Sequence, residues 1–436
     1  MAKIHYARVD EFWRKEEKYA YLDEMQHVGN VEWQELHPDV KGNWLGAETE
    51  SDFDSLIPIA HGDPPSESIF ALISNGVQTN RDAWVYNFDR ERLADNIRRI
   101  SDTYNQQVRT WHETKKKGGK IDDFVLSDEK EIKWSSRLKE RLAANVKVEF
   151  DSREIRAALY RPFTFQYLYF DETLVHRRGR FPQIIPDDLK DNLVIWLKIG
   201  SDWPMFALLT NRISDQLPQG GSQCFPFYTY NEDGTNRREN ITDWSLEQFR
   251  SHYKNKSIAK WDIFHYVYAL LHHPLYREHY AANLKRELPR IPFAPDFRAF
   301  ADIGKQLAEI HVNYEDQPEY PLERIEKPGA QLDWRVERMK LSKDKRSLIY
   351  NDFLTLSGIP PEVFEYRLGN RSALDWIIDQ YQVGTDKRSG ITNDPNRLDD
   401  PQYIVRLIGQ VIRVSLETVQ LVRRLNEVSI VEAAGS

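Results

Sequence analysis

Between residues 155 and 230 the apolar residues come in short runs, and after residue 245 they come at helical spacing. That change of period constrains the fold more than any other feature of the chain. The runs at 167–170, 193–198, 206–209 and 225–230 are aromatic or β-branched and are closed by Pro, Gly or Asp, the pattern of short strands. Residues 263–271 and 297–309 read as helices. A last helix, from about 401 to 426, puts Ile404, Leu407, Ile408, Val411 and Val419 at helical spacing. Both periods in one chain, with no internal repeat, predict an α+β fold, a mixed strand-rich and helical domain. Upstream, the pattern predicts a strand at 3–7, a helix at 11–26, a buried strand at 69–74 and a second at 83–87. Asp89 is placed to cap a helix reaching about residue 107. Further expectations are helices at 134–144 and 373–380 and a hairpin over 334–350 turning at Ser342.

The chain has 436 residues, which suits two or three domains at roughly 150 residues each. The run His61-Gly-Asp-Pro-Pro-Ser is the clearest early linker. It sets expected domains of 1–62 and 63–436, the second divisible into lobes at about 63–240 and 241–436. Charge is unevenly placed. Residues 1–97 carry 9 basic and 19 acidic residues, a net of −10, whereas residues 98–180 carry 19 basic and 13 acidic, a net of +6. The overall charge of −8 excludes a globally basic binder but leaves room for a basic face. One cysteine, Cys224, excludes an internal disulfide framework and a cysteine-based zinc site. No apolar run approaches the ~18 residues of a membrane span, and residues 1–10 lack a signal-peptide core. The expected setting is soluble, reducing and cytoplasmic.

Several chemistries are missing as motifs. There is no phosphate-binding Gly-rich loop, no Gly-x-Ser-x-Gly elbow, and no Asn/Asp-Pro-Pro-aromatic tetrapeptide; Asn393-Asp-Pro-Asn lacks the second proline and the aromatic. His265, His272, His273 and His279 cluster in sequence, but without a His-Glu-x-x-His string they read as packed or surface histidines and no metal is expected. Asp123, Glu131 and Lys133 formally match a metal-dependent nuclease pattern, but they lie in a charged stretch that reads as a solvated face.

Two loops stand out. Arg177, Arg178 and Arg180 surround Gly179, an arrangement that can set guanidinium groups on phosphate oxygens; a solvated turn is the equal alternative. Gln216, Gln219, Ser222 and Gln223 surround a Gly-Gly hinge between two strand candidates. Their side chains can donate to and accept from base edges, and the glycines permit close approach. A polar hairpin loop accounts for the same composition.

At these residues the sequence resembles a known family. Tyr160-Arg-Pro-Phe followed by Tyr167-Leu-Tyr-Phe-Asp resembles an element of Type ISP restriction–modification enzymes, single chains joining nuclease, motor, coupler, adenine methyltransferase and target recognition domain. Gly76-Val-Gln-Thr-Asn-Arg-Asp, Asn211-Arg-Ile-Ser-Asp, Phe225-Pro-Phe-Tyr, Asp262-Ile-Phe-His-Tyr-Val-Tyr-Ala and Tyr366-Arg-Leu-Gly-x-Arg-Ser-Ala-Leu-Asp-Trp resemble that enzyme's C-terminal region. So does the run from His279 to Pro292. The resemblance covers about residues 70–425. Residues 1–62 resemble the tail of the preceding methyltransferase domain, on Lys3-Ile-His-Tyr and Arg14-Lys-Glu-Glu-Lys.

The resemblance implies a specificity portion that reads double-stranded DNA and presents a flipped adenine to a methyltransferase and motor portion supplied in cis or in trans. S-adenosylmethionine is expected only in that other portion, and no catalytic residue is expected in this chain. Base readout is then assigned to Gln216, Gln219, Ser222 and Gln223. Backbone contacts are assigned to Arg81, Lys115, Lys116, Lys117, Arg177, Arg178, Arg180 and Arg212. The alternatives are a standalone nuclease, or an adaptor that docks a partner on the Ile404–Val419 face of the last helix.

Overall fold

The structure is a computed structural model that describes residues 3–9, 13, 15–37, 52–60, 67–114, 119–200, 203–217 and 221–430. The expected linker at 61–66, Lys115, Lys116, Lys117 and Gln219 lie outside the described residues.

An antiparallel sheet divides the molecule. Its strand order is Ser74–Asn75, Ser222–Pro226, Val194–Lys198, Phe206–Thr210. In the register Trp196 lies opposite both Cys224 and Leu208. Side chains alternate between faces, so Val194, Trp196, Phe206, Leu208 and Cys224 enter one hydrophobic core. Ile195, Leu197, Ala207, Leu209 and Phe225 enter another. Val194–Lys198 and Phe206–Thr210 are buried on both faces, and their sequences are correspondingly almost all apolar.

The first core is closed by a second four-stranded sheet of order Ile213–Ser214, Ile155–Arg161, Thr164–Tyr169, Tyr86–Asn87. The helix Arg90–Thr114 packs Leu93, Ile97, Ile100, Tyr104 and Val108 into it, and Asp89 caps that helix as expected, its Oδ1 accepting the Arg92 N–H at 2.9 Å. The second core is helical. Lys260–Leu270 crosses Phe297–Val312 at Gly304, where an added Cβ would lie 1.9 Å from the His265 carbonyl oxygen; glycine is what lets the two backbones meet.

The cores do not divide the chain at residue 240. Residues from Tyr314 to Val419 return to the first core, while Phe53, Ile57, Ile59 and Phe70 join the second, where Ile57–Pro58 pairs with Arg290–Ile291. The helix Lys15–Met25 buries no side chain.

Three expectations are corrected. Residues 83–87 are not one strand: the Arg81 carbonyl accepts from the Trp84 and Val85 N–H groups, making the helical turn Asp82–Val85, and only Tyr86–Asn87 pairs. Residues 69–74 do not run as a continuous strand. The Asn240 side chain takes the place of a neighbouring strand at Leu72, accepting its N–H at 2.7 Å and donating to its carbonyl at 2.8 Å. The helix Tyr403–Asn426 forms where expected, but Ile404, Leu407, Ile408, Val411 and Val419 are buried in the first core, so that face is not open to a partner.

Candidate nucleic-acid interface

Gly76 sits where two backbones touch. A Cβ there would lie 2.3 Å from the Asp215 carbonyl oxygen. The closeness lets the segments bond: Gly76 N–H donates to the Ser222 carbonyl (3.3 Å), Val77 N–H to Ser214 (2.8 Å) and Gln216 N–H to Val77 (2.9 Å). On the other side, Gln78 and Arg177 exchange backbone bonds of 2.9 and 2.8 Å. Gly179, at φ +58°, lies against Ser74, whose Oγ accepts the Arg180 N–H at 2.8 Å. Three loops far apart in sequence are thus sewn into one surface, mostly by main-chain bonds, with the Ser74 hydroxyl as the one side chain among those named.

Beside this seam lies an open cleft of about 930 Å³. Gln78, Asn80, Lys133, Gln216, Asp386 and Ser389 are among its lining residues, so its wall is rich in groups that donate and accept hydrogen bonds. Asn80 is exposed and holds the left-handed backbone conformation (φ +58°), which asparagine tolerates better than most residues.

Charges inside the wall are paired. Arg161 donates to Asp215 Oδ1 at 2.6 Å and lies 3.8 Å from Asp82, whose carboxylate also accepts the Tyr160 hydroxyl at 3.0 Å. Asp215 accepts the Leu217 N–H at 2.8 Å, which fixes the start of the glutamine loop. Burial pushes the Asp215 carboxyl up to about 7, against the pull of Arg161. Arg161 belongs to the Tyr160-Arg-Pro-Phe element, so that element braces the cleft from within.

The sequence-assigned residues separate into two groups. Arg177 and Arg180 are exposed and have no side-chain partner among the described residues. Gln216 is half-buried on the cleft. Gln223 is half-buried and donates from Nε2 to Asn75 Oδ1 at 2.7 Å. Arg178 is half-buried, 3.6 Å from Glu172 and over the Phe170 ring.

The others point inward or elsewhere. Arg81 is 1% exposed, and its guanidinium donates to the Lys133 carbonyl (3.1 Å), the Ser135 hydroxyl (2.8 Å) and the Leu174 carbonyl, so it is a structural residue and not a phosphate contact. Ser222 is buried, its hydroxyl donating to the Asp215 carbonyl at 3.0 Å, so it is not a base reader. Arg212 lies away from the cleft, paired with Glu315 at 2.8 Å over the Phe165 ring.

Asn80 lies in the Gly76–Asp82 run that carries the family resemblance, whereas Asp386 has no sequence signal of its own. The reach from 80 to 386 is a tertiary fact with no local signal, whereas the positive-φ asparagine follows a turn motif that the sequence displays. Asp123 and Glu131 are exposed on short turns and Lys133 lines the cleft, an arrangement without the core strand a nuclease site needs. His272 and His273 bond the Tyr268 and Val428 carbonyls. Among the described residues no three His, Cys, Asp or Glu side chains gather as metal ligands, and no helix is long and apolar enough to cross a membrane.

Comparison with known proteins places the chain. The model of the Type ISP C-terminal specificity domain matches residues 68–407, and the chain belongs to that family. Solved structures agree. A nuclease-deletion mutant of the Type ISP restriction–modification enzyme LlaGI, in complex with a DNA substrate mimic, is 34% identical with a TM-score of 0.81 over 99% of this chain and 40% of that one. The ATP-dependent Type ISP enzyme LlaBIII bound to DNA is 30% identical with a TM-score of 0.80, over 94% of this chain and 26% of its own length. DrdV in a DNA complex is 33% identical with a TM-score of 0.79, over 97% of this chain and 43% of its own. The chain thus spans less than half the length of each. No curated protein matches it.

Proposed function

We propose that this chain recognises a specific sequence in double-stranded DNA, as the specificity portion of a Type ISP restriction–modification system. The observation that carries the reading is the seam itself: exposed Arg177 and Arg180 stand beside a cleft walled by Asn80, Gln78 and Gln216. Cations at the rim can hold phosphates, which fix position, while amide side chains in the cleft can read base edges, which fix sequence. Arg178 joins the rim, and Gln223, bonded to Asn75, links the glutamine loop to the first turn. Gln219, Lys115, Lys116 and Lys117 remain part of the proposal on sequence grounds. That the similar enzymes were solved with DNA supports the same reading.

In this reading the methyltransferase and motor activities, and the S-adenosylmethionine they use, belong to the remainder of the system. Residues 1–62 are the end of its methyltransferase-like unit, docked through Phe53, Ile57 and Ile59 onto the second core. The setting is cytoplasmic, where such a system meets incoming DNA. The test is competition binding across a randomised duplex pool at fixed salt. A defined consensus that Gln216→Ala blurs supports the reading; equal affinity for every duplex in the wild type removes it.

A further inference from the structure

A second cavity, of about 580 Å³, opens between the C-terminal helix, the short helix Pro274–His279 and the turn at residues 365–367. Its volume falls in the range of small-molecule sites. One of its polar groups has no hydrogen-bond partner, and another has no counter-ion among the described residues. Tyr366 is 6% exposed, and its hydroxyl has no hydrogen-bond partner. The ring itself is immobilised, stacked on His311 with centroids 5.4 Å apart and planes 5° from parallel, and edge-on to Phe163. The hydroxyl is therefore held in place by packing rather than by a hydrogen bond, and a buried donor left without an acceptor is unfavourable.

The second group is Arg277. Its Nε–H donates to the Leu271 carbonyl at 2.7 Å, which orients the guanidinium, and no carboxylate pairs with it among the described residues. Glu365, on the same cavity wall, is taken by Arg423 through both oxygens, at 3.0 and 2.8 Å. Arg277 is half-buried at the cavity, and burial pushes it down to about 10. His272 beside it is neutral, with burial pushing its imidazole down to about 3, so it brings no competing charge. Pro274, Val419 and Val422 supply the apolar remainder of the wall.

We infer that this cavity binds a small organic oxyanion, a carboxylate or a phosphate monoester on an apolar body, with Arg277 meeting the charge and the Tyr366 hydroxyl donating to the same group. Planar guanidinium suits both anions, since each offers two oxygens to its paired N–H groups. The site goes beyond DNA recognition, and no residue of the cleft beside Gly76 takes part in it.

The test uses the full chain with benzoate and phenyl phosphate as probes, and benzyl alcohol as the neutral control of the same shape. Inorganic phosphate is the control without an apolar body. Calorimetric titration should show benzoate or phenyl phosphate binding more tightly than either control, and which of the two wins identifies the oxyanion. Arg277→Gln should weaken that probe by about tenfold or more, and Tyr366→Phe, which keeps the stacked ring, by several-fold. DNA affinity should be the same in both variants and the wild type. Binding of benzyl alcohol equal to benzoate, or probe affinity unchanged in Tyr366→Phe, overturns the proposal even if Arg277→Gln fails to fold. Loss of DNA affinity in Arg277→Gln without binding of either organic anion to the wild type also overturns it, and makes Arg277 a phosphate contact.

Discussion

The two sides of the dividing sheet keep their buried polar groups by different means. On the cleft side the buried groups are charged and paired: Arg161 with Asp215, Arg156 with Asp188, and Arg81 fixed by two carbonyls and a hydroxyl. On the far side the groups that bond one another in the core are neutral, Arg277 at the second cavity being the exception. Tyr268 bonds His311, His311 bonds Thr418, and Tyr266 bonds the Pro292 carbonyl. Burying a charge demands a full set of partners, whereas a neutral group needs only its one or two hydrogen bonds. The charged side can therefore hold irregular loops in one geometry, as a reading surface requires. The neutral side behaves as a helical foundation, and each side should fail in its own way.

The largest effect expected is at Arg81. Replacing it by Met leaves the Lys133 and Leu174 carbonyls and the Ser135 hydroxyl without their donor, a loss of about 3 kcal/mol or more. Arg177→Gln together with Arg180→Gln, on the neighbouring loop, should stay within about 0.5 kcal/mol of the wild type. Urea unfolding of both variants measures the contrast. Equal losses would mean that burial does not distinguish these arginines.

Acid should separate the two sides by sign. His272 is held at about 3 by burial and His311 is likewise pushed well below its ordinary value. An unfolded histidine takes up its proton near pH 6.5, so their contribution is complete above that pH and is lost as pH falls. For His272 the loss at pH 5 is about 2 kcal/mol. Asp215 runs the other way. Its carboxyl, raised to about 7, binds a proton more tightly folded than unfolded, so its contribution is present at low pH and lost as pH rises through 7. Hydrogen-exchange protection at pH 7 and pH 5 should fall along the helix Lys260–Leu270 more than along the strand Ile155–Arg161. A parallel fall on both would show that the two sides open as one unit.

Much of this architecture is legible in the sequence because it is local. The 373–380 helix, the hairpin turning at Ser342 and the Asp89 cap follow from period, turn chemistry and a side chain three residues from the N–H it accepts. The two-sided burial of Val194–Leu197 is likewise written in an unbroken apolar run. What escapes is non-local. Nothing near Arg81 in sequence marks it as buried, since its acceptors lie 52, 54 and 93 residues away. Asn240 serving as a surrogate strand for Leu72 works across 168 residues. At the candidate site, composition marks the arginine and glutamine loops one by one, but only the Gly76–Asp215 contact brings them together, and only burial shows that Ser222 and Arg81 face inward.

A further contrast lies within the proposed reading surface, between its amides and its arginines. Gln216→Ala or Asn80→Ala should relax preference at one or two base pairs by about 1–3 kcal/mol and leave non-specific affinity nearly intact, as read by competition on a randomised pool. A uniform loss on all sequences would make the side chain a positioning group.

The smallest change at any single sequence is expected from Arg177 and Arg180, and it is the one salt reveals. Each phosphate they neutralise releases counterions and adds about −0.9 to the slope of log affinity against log salt. Exchanging both for Gln should therefore flatten the slope by about 1.8 if each holds one phosphate, weakening all duplexes alike and leaving the consensus as it was. Because the seam that holds this loop is main-chain, through Gln78 and Arg177 and through the Arg180 N–H, the substitutions remove charge without releasing the loop. An unchanged slope would move the phosphate contacts off this loop. An altered consensus would mean that these arginines read bases, and that the division of labour between rim and cleft is drawn in the wrong place.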